Sequence, residues 1–467
     1  MERSLKRYII YMGLIGTLVV LFCGCRKQTE LTPPFTEMSG VQENFMTGNE
    51  APSDISAQIP DPTNAAVVTV TPLEVPTNTP TPIPTNSPTP TPVITDPYDG
   101  RFWIGRYAED TEVLLTKRQI EEQNERNYKA VGTKLTVLSE HTVYTAGRIL
   151  EMIEEYSLPS RKYLADKELG ASGKDALLRE RNLSVLREDT DRDIIPEYGI
   201  LISNTDIRSF PTGKRLTSEV QGRFDYLQET RLLIGEAVLV LHRSSDGAWC
   251  FVQAENYCGW IREDAIAYCT RDEMCAVTEA MAEVEKNRIV VVIKGGNYRI
   301  GDRDIYLRMG TRLLCGDADI WDDDAGLAAD EQERARNTEI ITLRLPRKDA
   351  FGKLVWEEAG VNRADAEGDV CFVNGYLPYT RANVMQLAVR LLGSPYAWGD
   401  APSFGAAVSQ VGDNGMDCSS TVSAVLRCFG FVLPRNTGTQ RKMDCVKQDM
   451  SGLSTPQRQE VLDGPSS

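Results

Sequence analysis

The spacing of apolar and polar positions divides the chain into stretches of different character. A short apolar run at residues 9–22 follows three basic residues, and a Pro- and Thr-rich stretch occupies residues 71–97. Apolar positions then recur with helical spacing, change near residue 198 to the two-residue and short-run spacing of strands, and return to helical spacing near residue 384. This order predicts an α+β protein with several domains.

Two helices are predicted in the first helical stretch. Thr116 and Gln119 form a capping-box pattern that predicts a helix start, with Ile120 facing inward. A second helix is predicted from about Thr145 and ends before Pro159. Its expected inner face consists of Ile149, Leu150, Ile153 and Tyr156.

The strand-like stretch contains two groups of predicted strands. Residues 237–241 are continuously apolar, residues 244–247 predict a turn, and residues 249–252 and 259–261 predict returning strands. Short strands at this spacing indicate a small barrel. A second β unit is predicted from residues 289–293, 306–307 and 340–345.

Charge and cysteine content restrict the function classes. The net charge of −16 argues against a nucleic-acid partner, because a phosphate backbone would be repelled. The 11 cysteines include no CxxC pair and no Cys/His ligand spacing, so no metal site and no cofactor are predicted. Most cysteines after the N-terminal segment are expected to be small buried residues. In an exported chain two disulfides are candidates, Cys250 with Cys258 and Cys269 with Cys275, and the sequence does not decide between them.

The N-terminus has the pattern of an export signal. Arg3, Lys6 and Arg7 precede the apolar run, and Gly24 stands before Cys25, as in the lipobox of bacterial lipoproteins. Cys25 is therefore the predicted lipidation site, and an uncleaved anchor helix is the alternative. Either interpretation places the remainder of the chain outside the cytoplasmic membrane.

The segment from residue 26 to residue 97 is predicted to be a linker. Residues 71–97 contain nine prolines and eight threonines, a composition that favours extended polyproline geometry and forms no core. At about 3.1 Å per residue this stretch spans roughly 80 Å. It suits a tether that carries a globular body away from a membrane, although a spacer of no tuned length fits equally well.

Three motifs near the C-terminus carry candidate chemistry. They are residues 392–399 (LGSPYAWG), 417–420 (DCSS) and 433–440 (LPRNTGTQ). Cys418 is followed by apolar residues at helical spacing, which predicts that it begins a helix. A helix N-terminus favours the thiolate, the nucleophilic form of cysteine. The apolar positions are Val422, Val425, Leu426 and Phe429.

The order of these motifs resembles the NlpC family of papain-like cell-wall peptidases. Upstream segments are similar to the other parts of its multidomain members, so the resemblance covers about 350 residues. It implies a helical N-terminal domain, two small SH3-like β-barrels and a partial papain-like α+β domain. The implied domains are residues 1–25 (signal peptide), 26–97 (linker), 98–196 (stabilising domain), 197–275 and 276–382 (SH3-like domains) and 383–467 (cysteine peptidase domain).

The resemblance also implies a reaction. Such enzymes cut peptidoglycan stem peptides at the bond after γ-D-glutamate, before the diamino acid. Cys418 would attack the carbonyl of this bond and form a thioester. The matching positions assign Asp417 and Ser419 to the free amino end of the substrate.

Three further positions receive implied substrate-binding roles. Tyr396 would line the oxyanion side of the nucleophile, and Thr437 would line the substrate groove. One SH3-like domain forms a wall of the groove in such enzymes, and Tyr257 is the residue expected to line it here. Tyr396 with its neighbour Trp398 also fits a purely structural core.

One required residue is missing from the pattern. The family's base is a histidine located well after the cysteine, but this chain ends at Ser467, and its only histidines are His141 and His242. Neither is expected to replace the base, so we expect the chain as written to be inactive or nearly so, as from a frameshifted or prematurely ended coding sequence. A helix terminus alone stabilises a nearby charge by about 0.3–1 kcal/mol, which is less than one pKa unit. It therefore cannot replace a histidine.

Two structural expectations accompany this departure. Without the C-terminal strands of a papain-like domain, the apolar face of the Cys418 helix is expected to be exposed. The stretch after Trp398, at residues 401–415, is longer than in the family and is expected to form a loop at the rim of the site.

The sequence thus supports two functions. The first is a lipid-anchored, extracytoplasmic hydrolase of wall peptides, with peptidoglycan stem peptides as partners and the membrane reached through Cys25. The alternative is a non-catalytic lipoprotein that binds the cell wall through its SH3-like domains.

Overall fold

The computed structural model describes residues 99–222, 224–286, 288–316, 340–400, 415–445, 452–454 and 456–458. The predicted signal peptide with Cys25, the Pro- and Thr-rich linker and residues 401–414 lie outside these residues. Within them, no helix has both the length and the apolar character needed to cross a membrane. All described residues belong to one compact unit, and their mixture of helices and small antiparallel sheets confirms the predicted α+β fold class.

The first part of the structure is mainly helical, as predicted. Both capping-box bonds of Thr116 and Gln119 are present, and Ile120 is buried. Thr145 caps the second predicted helix, which ends at Glu154, ahead of Pro159. The helices are α1 (Gly100–Tyr107), α2 (Lys117–Val131), α3 (Ala146–Glu154), α4 (Ala171–Glu180) and α5 (Ser184–Arg187). Short strands accompany them: β1 (Tyr144–Thr145), β2 (Tyr163–Leu164), β3 (Lys167–Glu168) and β4 (Asp193–Ile194).

The first β unit is a seven-stranded antiparallel sheet with the order β12-β5-β9-β10-β11-β6-β8. Strands β9, β10 and β11 coincide with the strands predicted around residues 237–261, and the predicted turn at residues 244–247 joins β9 to β10. The members are β5 (Glu197–Leu201), β6 (Thr205–Arg208), β8 (Gln228–Leu232), β9 (Ala237–Arg243), β10 (Trp249–Ala254), β11 (Cys258–Arg262) and β12 (Ile266–Cys269). The short β7 (Leu216–Thr217) pairs with β2 instead.

Helix α6 (Arg271–Ala282) leads into the second β unit. The predicted domain boundary at residue 275 lies inside this helix. The unit is a five-stranded antiparallel sheet, in the order β18-β17-β16-β13-β19, together with the separate hairpin β14-β15. Its strands are β13 (Ile289–Val292), β14 (Gly296–Ile300), β15 (Arg303–Leu307), β16 (Arg312–Cys315), β17 (Ile340–Lys348), β18 (Leu354–Asn362) and β19 (Phe372–Asn374).

The last described segments are helical. They contain α7 (Arg381–Val389), α8 (Cys418–Arg427) and α9 (Thr437–Gln440). Helix α7 ends before Leu391 and Leu392; Leu391 packs against the core, whereas 51% of Leu392 is exposed. Gly393 follows with a positive φ of 80°.

The prediction that the apolar face of α8 would be exposed was wrong. Val422, Val425, Leu426 and Phe429 are all buried in the main core cluster. The ring of Phe429 packs edge-on against Tyr379, with 5.2 Å between the ring centroids. This core cluster also contains residues of α2, α3, α6 and both β units, so the upstream domains supply the cover that we expected only from further strands.

Three buried carboxamides on α2 hold the chain that follows α8. Asn124 Nδ2 donates to the carbonyl of Gly430, and its Oδ1 accepts from the backbone N–H of Val432. Gln123 Nε2 donates to Asn127 Oδ1 and to the carbonyl of Asp444, and Asn127 Nδ2 donates to the carbonyl of Val432. Because buried polar groups are costly when unpaired, this reciprocal pairing fixes the C-terminal segment against the N-terminal helices.

The described cysteines are all free thiols, so the two candidate disulfides are not present. Cys250, Cys371 and Cys428 are buried, whereas the other six described cysteines are partly exposed. The expectation that most would be buried was therefore wrong. Burial raises the pKa of the Cys428 thiol to about 12, which keeps it protonated and unreactive.

Candidate active site

Cys418 is the first residue of α8, as predicted. Asp417 is the N-cap with extended backbone geometry, and it forms a complete capping box with Ser420. Its Oδ1 accepts from the Ser420 N–H at 3.0 Å and from the Ser419 hydroxyl at 3.0 Å. The thiol of Cys418 is partly exposed, so the helix start presents its sulfur at a surface rather than inside the core.

A buried ion pair fixes this helix start. The guanidinium of Arg435 binds both Asp417 oxygens, with Nη2 to Oδ2 at 2.6 Å and Nη1 to Oδ1 at 3.1 Å. Burial alone would raise the pKa of Asp417, but the charge of Arg435 and its hydrogen bonds outweigh burial and lower it. The neighbouring carboxylates likewise raise the pKa of Arg435 despite its burial. Two-point pairing of this kind sets orientation as well as charge.

Asp400 adds a second carboxylate beneath the helix start. It accepts from the backbone N–H of Asp417 at 3.2 Å and from the hydroxyl of Ser420. It lies 3.5 Å from Arg435 and 3.9 Å from Arg308. Its φ of 59° is unusual for a residue with a side chain, and such strain persists where surrounding contacts impose it.

Thr437 lies beside the nucleophile. Its Oγ1 is 3.5 Å from the Cys418 sulfur, and either atom can be the donor. Thr437 begins the short helix α9, whose Gln440 side chain donates to the carbonyls of Ser419 and Pro434. The LPRNTGTQ motif is thus folded back onto the start of α8.

The first β unit reaches the same place through Tyr257. The Tyr257 hydroxyl donates to Glu229 Oε2 at 2.6 Å and is within hydrogen-bonding reach of Asn436, the residue before Thr437. Burial raises the pKa of Glu229 and, together with that carboxylate, the pKa of Tyr257. Arg435 also donates to the hydroxyl of Thr230 on β8.

Three residues of this site, Glu229, Asp400 and Arg435, are not marked by any local sequence pattern as functional. Arg435 lies in the recognised LPR motif, and Glu229 lies in a segment that contributed to the family resemblance. Nothing in the local sequence indicated that side chains from residues 229, 400 and 435 would converge on one helix start.

A cavity of about 60 Å³ opens on the other side of Cys418. Tyr396 lines it, held by pairing with Met416, and the backbone N–H of Ala397 donates to the Met416 carbonyl at 3.0 Å. Trp398 is half exposed, which rules out the core role considered for it. The structure therefore brings Asp417, Ser419, Tyr396 and Thr437 together around Cys418, with Tyr257 at the border.

The two histidines make their contacts elsewhere. His242 Nε2 lies 3.0 Å from the carbonyl of Arg181, and its ring packs edge-on against Trp260. Burial lowers the pKa of His242, which favours the neutral ring. His141 stacks on Tyr144, with 5.7 Å between the ring centroids. Neither set of contacts includes Cys418.

Among the described residues, no group of three or more His, Cys, Asp or Glu side chains is placed to hold a metal ion. The lone pairs of Asp400 and Asp417 are directed at guanidinium, hydroxyl and N–H donors, so the polar cluster under α8 is a hydrogen-bonded ionic network.

Comparison with known proteins supports the fold at two levels. Residues 218–262 match the family of SH3 domains of the SH3b1 type. The chain is also similar in fold to a solved NlpC/P60 endopeptidase from Photobacterium damselae subsp. piscicida. That likeness has a TM-score of 0.50 at 18% sequence identity and covers 72% of this chain and 68% of the other. No curated protein matches the chain.

Proposed function

We propose that this chain is a cell-wall hydrolase of the cysteine-peptidase type that acts on peptidoglycan stem peptides. The observation that carries the proposal is the thiol of Cys418, presented at a helix start between Thr437 and an open cavity. The fold similarity to an NlpC/P60 endopeptidase and the SH3b1-type match support it. The chemistry rests on the position of Cys418 as the first residue of α8, because a helix N-terminus is a setting that favours negative charge.

The proposed reaction begins at the γ-carbonyl of D-glutamate. The thiolate of Cys418 attacks this carbon, a C–S bond forms, and the C–N bond to the diamino acid breaks as the leaving amine takes a proton from water. Water then hydrolyses the thioester and releases the γ-D-glutamyl product. Tyr396 lies on the cavity side of the sulfur, where it lines the oxyanion side in this proposal.

Substrate binding is assigned to the groove between α9 and the first β unit. In this proposal Thr437 and Tyr257 line it, and the family resemblance assigns Asp417 and Ser419 to the side that takes the free amino end of the peptide. Because Asp417 and Ser419 are nearly buried and bonded to Arg435, they also hold the nucleophile in place.

Among the residues that the structure describes, no histidine lies beside Cys418 to accept its proton. Neither histidine of this chain contacts Cys418, so we propose that the chain of 467 residues binds wall peptide and turns it over slowly or not at all. Added imidazole, which resembles the missing side chain, is then expected to accelerate acylation of Cys418.

The test is peptide mapping by mass spectrometry after incubation with a γ-D-glutamyl stem peptide, with and without imidazole. The proposal predicts an acyl adduct on Cys418 that increases with imidazole and is lost in Cys418→Ala. Cys445→Ser is the matched control, because it removes another partly exposed thiol of the same segment. An adduct that forms equally on Cys445, or none on Cys418 at any imidazole concentration, would contradict hydrolysis.

The alternative is a binding lipoprotein that uses its SH3-like domains. The SH3b1-type match at residues 218–262 and the position of both histidines favour it. It predicts that purified cell wall retains Cys418→Ala as well as the unaltered chain, while no acyl adduct forms with imidazole present.

The proposal includes an extracytoplasmic location with a lipid anchor on Cys25, a residue outside the described structure. Cys25→Ser is expected to move the protein from the membrane fraction to the soluble extracytoplasmic fraction. A substituted chain that stays in the membrane fraction would favour the anchor-helix alternative.

A further inference from the structure

A cavity of about 50 Å³ lies behind the cysteine helix, on the face of α8 opposite the Cys418 sulfur. Ser420, Ser423 and Ala424 of α8 form one wall, and the other walls come from β8 with the turn after it and from the residues that follow β15. Its volume suits a small ion or a few water molecules. Among the described residues, the charged side chains of the lining are four arginines and two carboxylates: Arg231, Arg308, Arg427, Arg435, Glu236 and Asp400.

Three of these arginines are almost completely buried. The side chains of Arg231, Arg308 and Arg435 are 6%, 4% and 6% exposed. Buried guanidinium groups are costly unless opposite charges meet them. Arg231 is met by Asp206 from outside the cavity, with 2.9 Å between Nε and Oδ1. Arg435 is met in the same way by Asp417, with 2.6 Å between Nη2 and Oδ2.

Arg308 is the least well matched of the three. Among the described residues its ion-pair partner is Asp400, but 3.9 Å separates Nη1 from the carboxylate, which is too far for a hydrogen bond. Its Nη2 donates to a neutral group, the carbonyl of Gly415. Burial lowers the pKa of Arg308 against the effect of Asp400. The charges of Arg231 and Arg435 lower that pKa further. The Nη1 group of Arg308 is therefore available to a negatively charged ligand in the cavity.

Two further donors line the same cavity. Arg427 binds Glu236 through Nη2, whereas its Nε is buried and has no hydrogen-bond partner among the described residues. The hydroxyl of Thr230 accepts a bond from Arg435 and keeps its own proton to donate. A buried N–H group without an acceptor is destabilising, so these donors indicate a binding site for a group that is rich in acceptors.

We propose that this cavity binds one small oxyanion of the phosphate class, with Arg308, Arg427 and Thr230 as its donors. A phosphate group carries negative charge and several acceptor oxygens, which match the planar donor edges of two guanidinium groups. The bound ion joins β8, the residues after β15 and α8, so its binding should stabilise the folded chain. The inference goes beyond the proposed reaction and does not depend on it, because the site lies on the opposite side of α8 from the Cys418 sulfur.

The test is calorimetry on the full, unaltered chain with inorganic phosphate, at neutral pH and constant ionic strength. We expect one phosphate ion to bind per chain, and the melting temperature to rise with phosphate concentration. Sodium chloride at the same ionic strength should give no such rise, because screening alone does not require the cavity. Glycerol phosphate forms a second arm. Binding as tight as that of inorganic phosphate would show that the site takes a phosphate ester, and weaker binding would show that it takes the free ion.

Arg427→Gln removes the buried Nε donor and should weaken phosphate binding roughly tenfold or more, the factor that corresponds to one hydrogen bond with a charged group. Arg347→Gln is the matched control, since Arg347 also pairs with a glutamate, Glu357, but does not line the cavity. Thr230→Val removes a neutral donor and should weaken binding several-fold, which keeps the assignment testable if Arg427→Gln does not fold.

Three outcomes would overturn the inference. They are an absence of phosphate binding to the unaltered chain, an equal rise in melting temperature with chloride, and equal phosphate affinities in the cavity variants and in Arg347→Gln. None of them bears on the acyl adduct expected at Cys418, so the proposed function would stand.

Discussion

The two β units contact the cysteine helix α8 in different ways. The first unit reaches its start, where Thr230 bonds Arg435 and Tyr257 extends toward Asn436. The second unit supports its back, where Gly310 lies against Ala424 and the Cys428 thiol contacts the carbonyl of Val292. The two units thus contact different parts of α8: the first meets its start, and the second supports it from behind.

Breaking the ionic link at the helix start is expected to give the largest effect. Arg435→Met leaves Asp417 buried without its counter-charge and leaves Asp400 with Arg308 alone, so the free energy of unfolding should fall by about 3–5 kcal/mol. Chemical denaturation measures it. Arg118→Met is the control, since the exposed pair of Arg118 with Glu122 is worth about 0.5 kcal/mol or less. Similar losses in both variants would show that the buried network contributes little.

The support from the second unit is tested at Gly310. This residue has a φ of 82°, and a Cβ added to it would lie 3.0 Å from the carbonyl oxygen of Ala424. Gly310→Ala should therefore lower the free energy of unfolding by about 3 kcal/mol. Gly247 has a φ of 69° but open space around it, so Gly247→Ala should lower the free energy of unfolding by only about 1 kcal/mol through backbone strain. Equal losses would mean that the contact with α8 is not tight.

Acid should weaken the link at the first unit. The pKa of Asp417 is lowered below its ordinary value of 3.8. The carboxylate therefore contributes stability above pH 3.8 and loses it as the pH falls through the lower folded-state value. Asp417→Asn should be less stable than the unaltered chain at neutral pH, and the difference should shrink below about pH 4. A difference that stays constant down to pH 2 would argue against the ion pair.

The groove role proposed for the first unit is tested by matched tyrosine substitutions. Tyr257→Phe removes the hydroxyl that bonds Glu229, and we expect peptide affinity to fall several-fold, with about 1 kcal/mol lost in stability. Tyr298→Phe removes a comparable hydroxyl in the second unit, where it bonds the carbonyl of Lys294. This control should leave peptide affinity unchanged; an equal loss in affinity would remove the distinction between the units.

Local sequence patterns predicted the elements of this fold well. The capping box at Thr116, the strands around residues 237–261 and the helix start at Cys418 all follow from short-range rules of capping and periodicity. These rules use neighbours within a few residues, and the structure obeys them there.

Long-range contacts were not predictable in the same way. Asp400, Asp417 and Arg435 come from three separate segments, and only folding shows that they share one ionic network. The burial of Phe429 by Tyr379 was missed for the same reason, since its cover comes from an upstream domain rather than from the following chain.

The most direct test of the account is the reactivity of the Cys418 sulfur. The rate of iodoacetamide alkylation is measured by peptide mapping from pH 5 to pH 9, for Cys418 and for Cys445 in the same sample. We expect Cys418 to react faster than Cys445 at neutral pH, and Thr437→Val to slow Cys418 alone. If Cys418 reacts no faster than Cys445 across this range, the sulfur is not an activated nucleophile and the central claim fails.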